Sequence, residues 1–237
     1  MLCAKPGSTQ SDPSTKLHKD AGTPHLDIHA YKRLVGRLLY LNATRLDITL
    51  CTQQLSQFLY ALSVNHFNAA TYVLRYLKSC PGRGIFLPRD SQLKLQGYSY
   101  ADFGGCSDTK RSTFGQCLFL GRSLISWRIK KQLTVPRSSN EVECRALDTA
   151  TCELQWIAYL FKYLKVECLK IPVLYCDNQS ALTIAANPVF HERTKHLAID
   201  CHIVKEKMLN GLMKLLPYYK REDVEWIDET TAMFFKG

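Results

Sequence analysis

Three carboxylates, Asp102, Glu143 and Asp177, stand where a coarse reading of the chain can bring them together. Asp102 follows an alternating apolar run that begins at Leu93, Glu143 falls in the first turn of a long amphipathic segment, and Asp177 ends the apolar run 171–176. Side chains from a first strand, a helix start and a later strand end can meet at one edge of a sheet. Converging carboxylates repel unless a divalent cation neutralises them, and hard oxygen ligands suit Mg²⁺. Two such ions about 4 Å apart activate a water and stabilise the leaving oxygen of a phosphodiester. Structural roles fit the same residues. Asn140-x-x-Glu143 spells a capping box, an acid in a first turn meets the helix dipole, and Asp177-Asn178 can cap a following helix.

The stretch 97-GYSYADFGG-105 puts Tyr100 where such a strand would present its first carboxylate. Alternation puts positions 100 and 102 on one face, about 6.6 Å apart along the strand. That exceeds the roughly 4 Å between paired metal ions, so Asp102 substitutes for a ligand at 100 only if the strand bends or bulges.

The elements that must position these groups follow from periodicity. Residues 1–27 are rich in Ser, Pro, Thr and Gly and form an extended or disordered lead-in. Leu34, Val35, Leu38, Leu39 and Leu41 mark a first helix, and Ile48, Cys51, Leu55, Phe58, Leu59 and Leu62 a second. Ala69, Val73, Leu74 and Leu77 mark a third, with Asn65 as a possible cap and Pro81-Gly82 as its stop. Residues 28–90 therefore read as a small helical unit.

Strand-like runs follow at 84–87, 93–100, 115–120 and 124–129, the last three as an antiparallel meander. A long helix from about Asn140 carries Val142, Ala146, Ala150, Leu154, Ile157, Phe161 and Leu164 on its apolar face. A buried strand at 171–176, helices at about 179–186 and 198–209, and a strand at 212–218 complete it. The order β-β-β-α-β-α-α-β is an α/β (α+β) mixed sheet with helices packed on it, over residues 91–237.

The 237 residues are ample for a core, and net charge +10 with pI near 9.1 favours a polyanionic partner. Between Thr109 and Arg137 lie Lys110, Arg111, Arg122, Arg128, Lys130, Lys131 and Arg137 with no acid, a candidate phosphate-binding run. A solvated basic face is the plainer reading. Ten cysteines run from Cys3 to Cys201 without a C-x-x-C pair, which argues against zinc ribbons. Cys51, Cys117, Cys152 and Cys176 sit at apolar positions, as reduced buried thiols do, and a cytoplasmic or nuclear location is expected. Neither a signal peptide nor a membrane-spanning run is legible, so no membrane partner is expected. No small-molecule substrate is expected either, the partner called for being nucleic acid.

The segments 97-GYSYADFGG-105, 111-RSTFGQCLFLG-121, 124-LISWRIKKQLTVPRSSNEVECRAL-147, 174-LYCDNQSAL-182 and 187-NPVFHERTKHLAIDCHIVKEK-207 closely resemble the RNase H domain of copia-type LTR retrotransposon Pol polyproteins. Upstream, 5-KPGSTQSDPSTKL-17, 31-YKRLVGRLLYLNATRLDI-48 and 74-LRYLKSCPGRGIFLPRD-90 resemble the reverse-transcriptase segment that leads into it. The likeness runs to about Pro217, and the tail from about 218 departs from the pattern.

The resemblance implies an RNase H-like fold that hydrolyses the RNA strand of an RNA/DNA hybrid with two Mg²⁺ ions on an Asp-Glu-Asp-Asp set. Glu143 and Asp177 match that set, Tyr100 stands at its first aspartate, and Ala232 at its fourth. Asn178, Gln179, Arg193, Lys195 and His196 flank the implied cleft and join Lys110, Arg111, Arg128, Lys130, Lys131 and Arg137 as candidate nucleic-acid contacts. A neutral phenol is a poor Mg²⁺ ligand, so the resemblance implies impaired hydrolysis. The alternatives are a weak ribonuclease H using Asp102, Glu143 and Asp177, and an element relic without function. No Tyr-x-Asp-Asp strand occurs, which excludes polymerase activity.

Overall fold

A computed structural model of the chain describes residues 4–12, 15, 17–19, 22–168, 170–186 and 195–218, with 195–200 as backbone only. They form two compact units that divide between Ile85 and Phe86.

The first unit holds α1 (Ile28–Leu41), a 3₁₀ turn (Leu46–Ile48), α2 (Thr49–Ser56) and α3 (Val64–Ser79). Asp27 starts α1 by accepting the Ala30 N–H at 2.8 Å. Ser63, not Asn65, caps α3: its hydroxyl accepts from the His66 backbone while His66 Nδ1 accepts the Ser63 N–H at 3.1 Å. The helix thus begins before its apolar rhythm is visible. α2 stops at Ser56, short of the periodic run to Leu62. Its Ser56 hydroxyl donates to the Gln53 carbonyl, and the chain turns while Phe58 and Leu62 stay buried. Tyr31, Val35, Leu38, Ile48, Leu55, Val73 and Tyr76 form the core. The described part of the lead-in has no helix and is tied to α3, with the Gly7 N–H on the Arg75 carbonyl at 3.0 Å and Arg75 Nε on the Lys5 carbonyl at 2.7 Å.

A buried polar cluster ties the 3₁₀ turn to the C-terminal end of α3. Arg45 donates to both Asp47 oxygens, from Nε at 2.9 Å and from an Nη at 2.7 Å, and its other Nη reaches the Cys80 carbonyl at 3.1 Å. The Tyr76 hydroxyl donates to Asp47 at 2.7 Å.

In the second unit β1 (Leu95–Asp102), β2 (Thr113–Leu120) and β3 (Ser123–Lys131) form the expected antiparallel meander. After α4 (Ser139–Tyr163), β4 (Val173–Cys176) joins β1 in parallel, and after α5 (Gln179–Ala186) and α6 (Lys195–Leu209), β5 (Lys214–Pro217) joins β4 in parallel. The sheet order is β3-β2-β1-β4-β5, the mixed α/β sheet expected of an RNase H-like fold. Residues 84–87 are not a strand. Phe86 and Leu87 are exposed and no neighbouring strand pairs with them among the described residues, so alternation there has no ladder to join.

Leu95, Leu118, Leu147, Leu154 and Leu174 pack α4 onto the sheet. Gly97 sits beneath that helix, where a Cβ would lie 2.5 Å from Leu118 Cδ2 and 2.9 Å from Leu174 Cδ1. Both leucines are fully buried and cannot swing away. Gly97→Ala is therefore expected to cost about 1–3 kcal/mol by overpacking, read as a lower denaturation midpoint at unchanged slope.

Candidate metal and nucleic-acid site

β1 and β4 run parallel and in register to Ser99 and Cys176, so Tyr100 and Asp177 are the next residue on each strand. The N-terminus of α4 arrives at the same edge. It starts at Ser138, whose hydroxyl accepts the Glu141 N–H at 3.3 Å, while the Glu141 carboxylate accepts the Arg137 N–H at 2.8 Å. The capping frame is thus Ser138 to Glu141, two residues ahead of the expected Asn140 to Glu143. Likewise Asn178, not Asp177, caps α5, accepting the Ala181 N–H at 2.9 Å. Glu143 and Asp177 are therefore released from the structural roles their positions suggested.

Glu143 is 6% exposed, and its Oε2 has no hydrogen-bond partner among the described residues. Burial first, and the Asp177 charge second, push its carboxyl up to about 8 against a lowering hydrogen bond from the Ala101 backbone. Burial also raises Asp177. The Tyr100 phenol is pushed up by burial, then by Asp102, Asp177 and Glu143, so it lies in the field of all three carboxylates. Ligand atoms of Glu143, Cys176 and Asp177 lie within 4.8 Å of one another. Cys176 was not among the expected site residues. It reads as a core thiol, and its Sγ accepts the Asn178 N–H at 3.4 Å while burial lifts the thiol to about 12.

Asp102 is exposed and does not join that group. Its Oδ2 lies 1.6 Å from where a Cβ on Gly105 would be, so the carboxylate folds over the glycine that follows. β1 pairs with β2 without a register break from Leu95 to Asp102, so the bend that would bring Asp102 back to position 100 is absent. The donor set is two carboxylates and a buried thiol, and the residue that β1 adds in the field of those carboxylates is a neutral phenol. This set does not fit a pair of Mg²⁺ ions, which require bridging hard oxygen ligands.

The titration of Glu143 has a measurable consequence. Because its folded value is raised, the folded chain keeps a proton that the unfolded chain releases, and stability falls as pH climbs from about 4.5 to about 8. Glu143→Gln is expected to flatten that fall and to raise stability above pH 8 by about 1–3 kcal/mol, read from melting temperatures across a pH series.

The basic run divides in space. Asp102, Thr113 and Lys131 are aligned across β1, β2 and β3, so Lys110, Arg111, Lys130, Lys131 and Arg137 all belong to the edge that carries the carboxylates. Arg122 lies in the β2–β3 turn at the opposite end. Arg128 pairs with Gln116 and lies further in, on the face that Ser126 shares with α4 through its 2.8 Å bond to Glu153. Lys131 donates to Cys106 Sγ at 2.7 Å. Burial works to raise that thiol, but hydrogen bonds from Lys131 and Thr109 bring it to about 7. Asn178 and Gln179 open α5 beside Asp177. Arg193 and Ala232, and the side chains of Lys195 and His196, lie outside the described residues. Of the four thiols read as buried, Cys51, Cys117 and Cys176 are, whereas Cys152 is exposed.

No protein-family model matches the chain. It is 42% identical over 216 residues, 91% of its length, to the retrovirus-related Pol polyproteins from transposons RE1 and RE2 of Arabidopsis thaliana. It is 31% identical over 194 residues to that from transposon TNT 1-94 of Nicotiana tabacum. The chain spans about 15% of the length of these relatives. Among solved structures it is similar to RNase H1 from the halophilic archaeon Halobacterium salinarum NRC-1, with 14% identity over 61% of this chain and 99% of that one and a TM-score of 0.38.

Proposed function

The chain belongs to the retrovirus-related Pol polyproteins of copia-type transposons, and we propose that it binds nucleic acid, RNA/DNA hybrid in particular, at an RNase H-like site whose hydrolysis is impaired. The observation that carries this reading is Tyr100: a phenol stands on β1 one residue beyond the Ser99–Cys176 pair, level with Asp177, where the resemblance implies an aspartate. On this reading residues 28–90 are the end of the reverse-transcriptase segment, 91–237 the RNase H-like portion, and 218 the start of a divergent tail.

Binding is left to groups the substitution does not touch. Lys110 and Arg111 occupy the loop between β1 and β2, which is held by a 2.7 Å bond from the Lys110 N–H to the Cys106 carbonyl and a 2.9 Å bond from the Gly104 N–H to Ser112 Oγ. Lys130 and Arg137 continue the rim toward α4. Cations so placed contact backbone phosphates and carry no sequence preference. The side chains of Asn178 and Gln179 add neutral donors beside Asp177.

The test is a labelled RNA/DNA hybrid titrated at several salt concentrations with Mg²⁺ or Mn²⁺ present. The expected result is binding without cutting, with affinity falling steeply as salt rises. Lys110→Ala and Arg111→Ala each reduce the salt slope by about 1 if they hold phosphates. Robust cleavage by the unmodified chain that Glu143→Ala abolishes refutes the reading, as does failure to bind hybrid at low salt.

A further inference from the structure

We propose that Cys144 and Cys201 are an oxidisable dithiol that closes to a disulfide between α4 and α6. Their Sγ atoms lie 2.9 Å apart although the residues are 57 positions apart in sequence. The bonded S–S distance is about 2.05 Å, so closure needs a movement of roughly 0.9 Å. Cys144 is 0% and Cys201 2% exposed, and both belong to the apolar core that α4 and α6 share. Packing as small hydrophobes accounts for their burial but not for the direct approach of one sulfur to the other. Cys144 also directly follows Glu143 on α4, so the bond would pin the turn that presents the buried carboxylate.

A small oxidant such as hydrogen peroxide suits a pair this enclosed. The Cys201 thiolate attacks one peroxide oxygen, the O–O bond breaks, and the departing hydroxide takes up the thiol proton as water. The Cys144 sulfur then attacks the resulting sulfenic acid, the S–O bond breaks, and the second water leaves with the Cys144 proton. Two thiols lose two hydrogens and the peroxide is reduced to two waters. The new bond closes a long loop and restrains the unfolded chain.

The experiment treats the folded chain with stoichiometric peroxide, blocks remaining thiols with N-ethylmaleimide and maps peptides by mass. A chain oxidised after unfolding in urea is the comparison. The expected result is a dithiothreitol-sensitive peptide linking Cys144 to Cys201 as the main product from folded protein, with a melting temperature raised by about 5–15 °C. Cys144→Ala and Cys201→Ala should each remove both the linked peptide and the rise. Absence of the link from folded protein, a different dominant pairing, or a link that forms only after urea overturns the proposal. The map of unmodified protein decides the matter even if an alanine variant folds poorly. The outcome is independent of hybrid binding or cleavage, so either reading can fail alone.

Discussion

Tyr100→Asp is expected to raise Mg²⁺-dependent cleavage of an RNA/DNA hybrid by about 100-fold or more over the unmodified chain, the scale on which enzymes lose rate when one charge-stabilising group is removed. The substitution adds a carboxylate from β1 to Glu143 and Asp177, one residue beyond the Ser99–Cys176 pair. It also removes the phenol that now lies in the field of Glu143 and Asp177. An added negative charge among carboxylates is unfavourable without a cation, so the variant should melt below the parent in chelator and gain more from added Mg²⁺. Tyr100→Asn separates charge from size and should give no gain in cleavage. Adding Glu143→Ala to Tyr100→Asp should return the rate to baseline. If Tyr100→Asp binds hybrid but stays as inert as the parent, the impairment does not lie at position 100.

Much of this site was legible because its elements are strongly patterned. The alternating runs of β1, β2 and β3, separated by turn residues, and the long apolar face of α4 leave little choice of order or of which edge receives Asp177. What the pattern did not carry is local competition. Two overlapping capping frames exist at the start of α4, two residues apart, and only the backbone geometry at Ser138 selects the one that leaves Glu143 out of the cap. The run at 84–87 has strand composition, but a strand is defined by its partner, and none is paired with it among the described residues. A linear charge run likewise says nothing about ends: the hairpin carries Arg122 away from the edge that holds Lys110, Arg111 and Lys131. Cys152 falls two residues from both Ala150 and Leu154, roughly half a turn round α4 from its buried stripe, and is exposed.

In the helical unit, Asp47→Ala is expected to cost about 3–5 kcal/mol, because it leaves the buried Arg45 guanidinium without its carboxylate. Burial pushes the Asp47 carboxyl up, but hydrogen bonds from Arg45 and Tyr76 and the Arg45 charge outweigh it and hold the carboxyl below its ordinary value. The sign follows. A depressed folded pKa contributes stability that is fully present above the unfolded value and is lost as pH falls through the folded one, so acid should loosen this unit. Amide exchange along α3 is the readout, since Tyr76 on that helix donates to Asp47 and would lose its acceptor. Arg45→Met combined with Asp47→Leu should recover most of the loss, because removing both charges eliminates the unpaired ion that makes the single change costly. Unchanged α3 protection in Asp47→Ala would mean that the pair sits on the fold without supporting it.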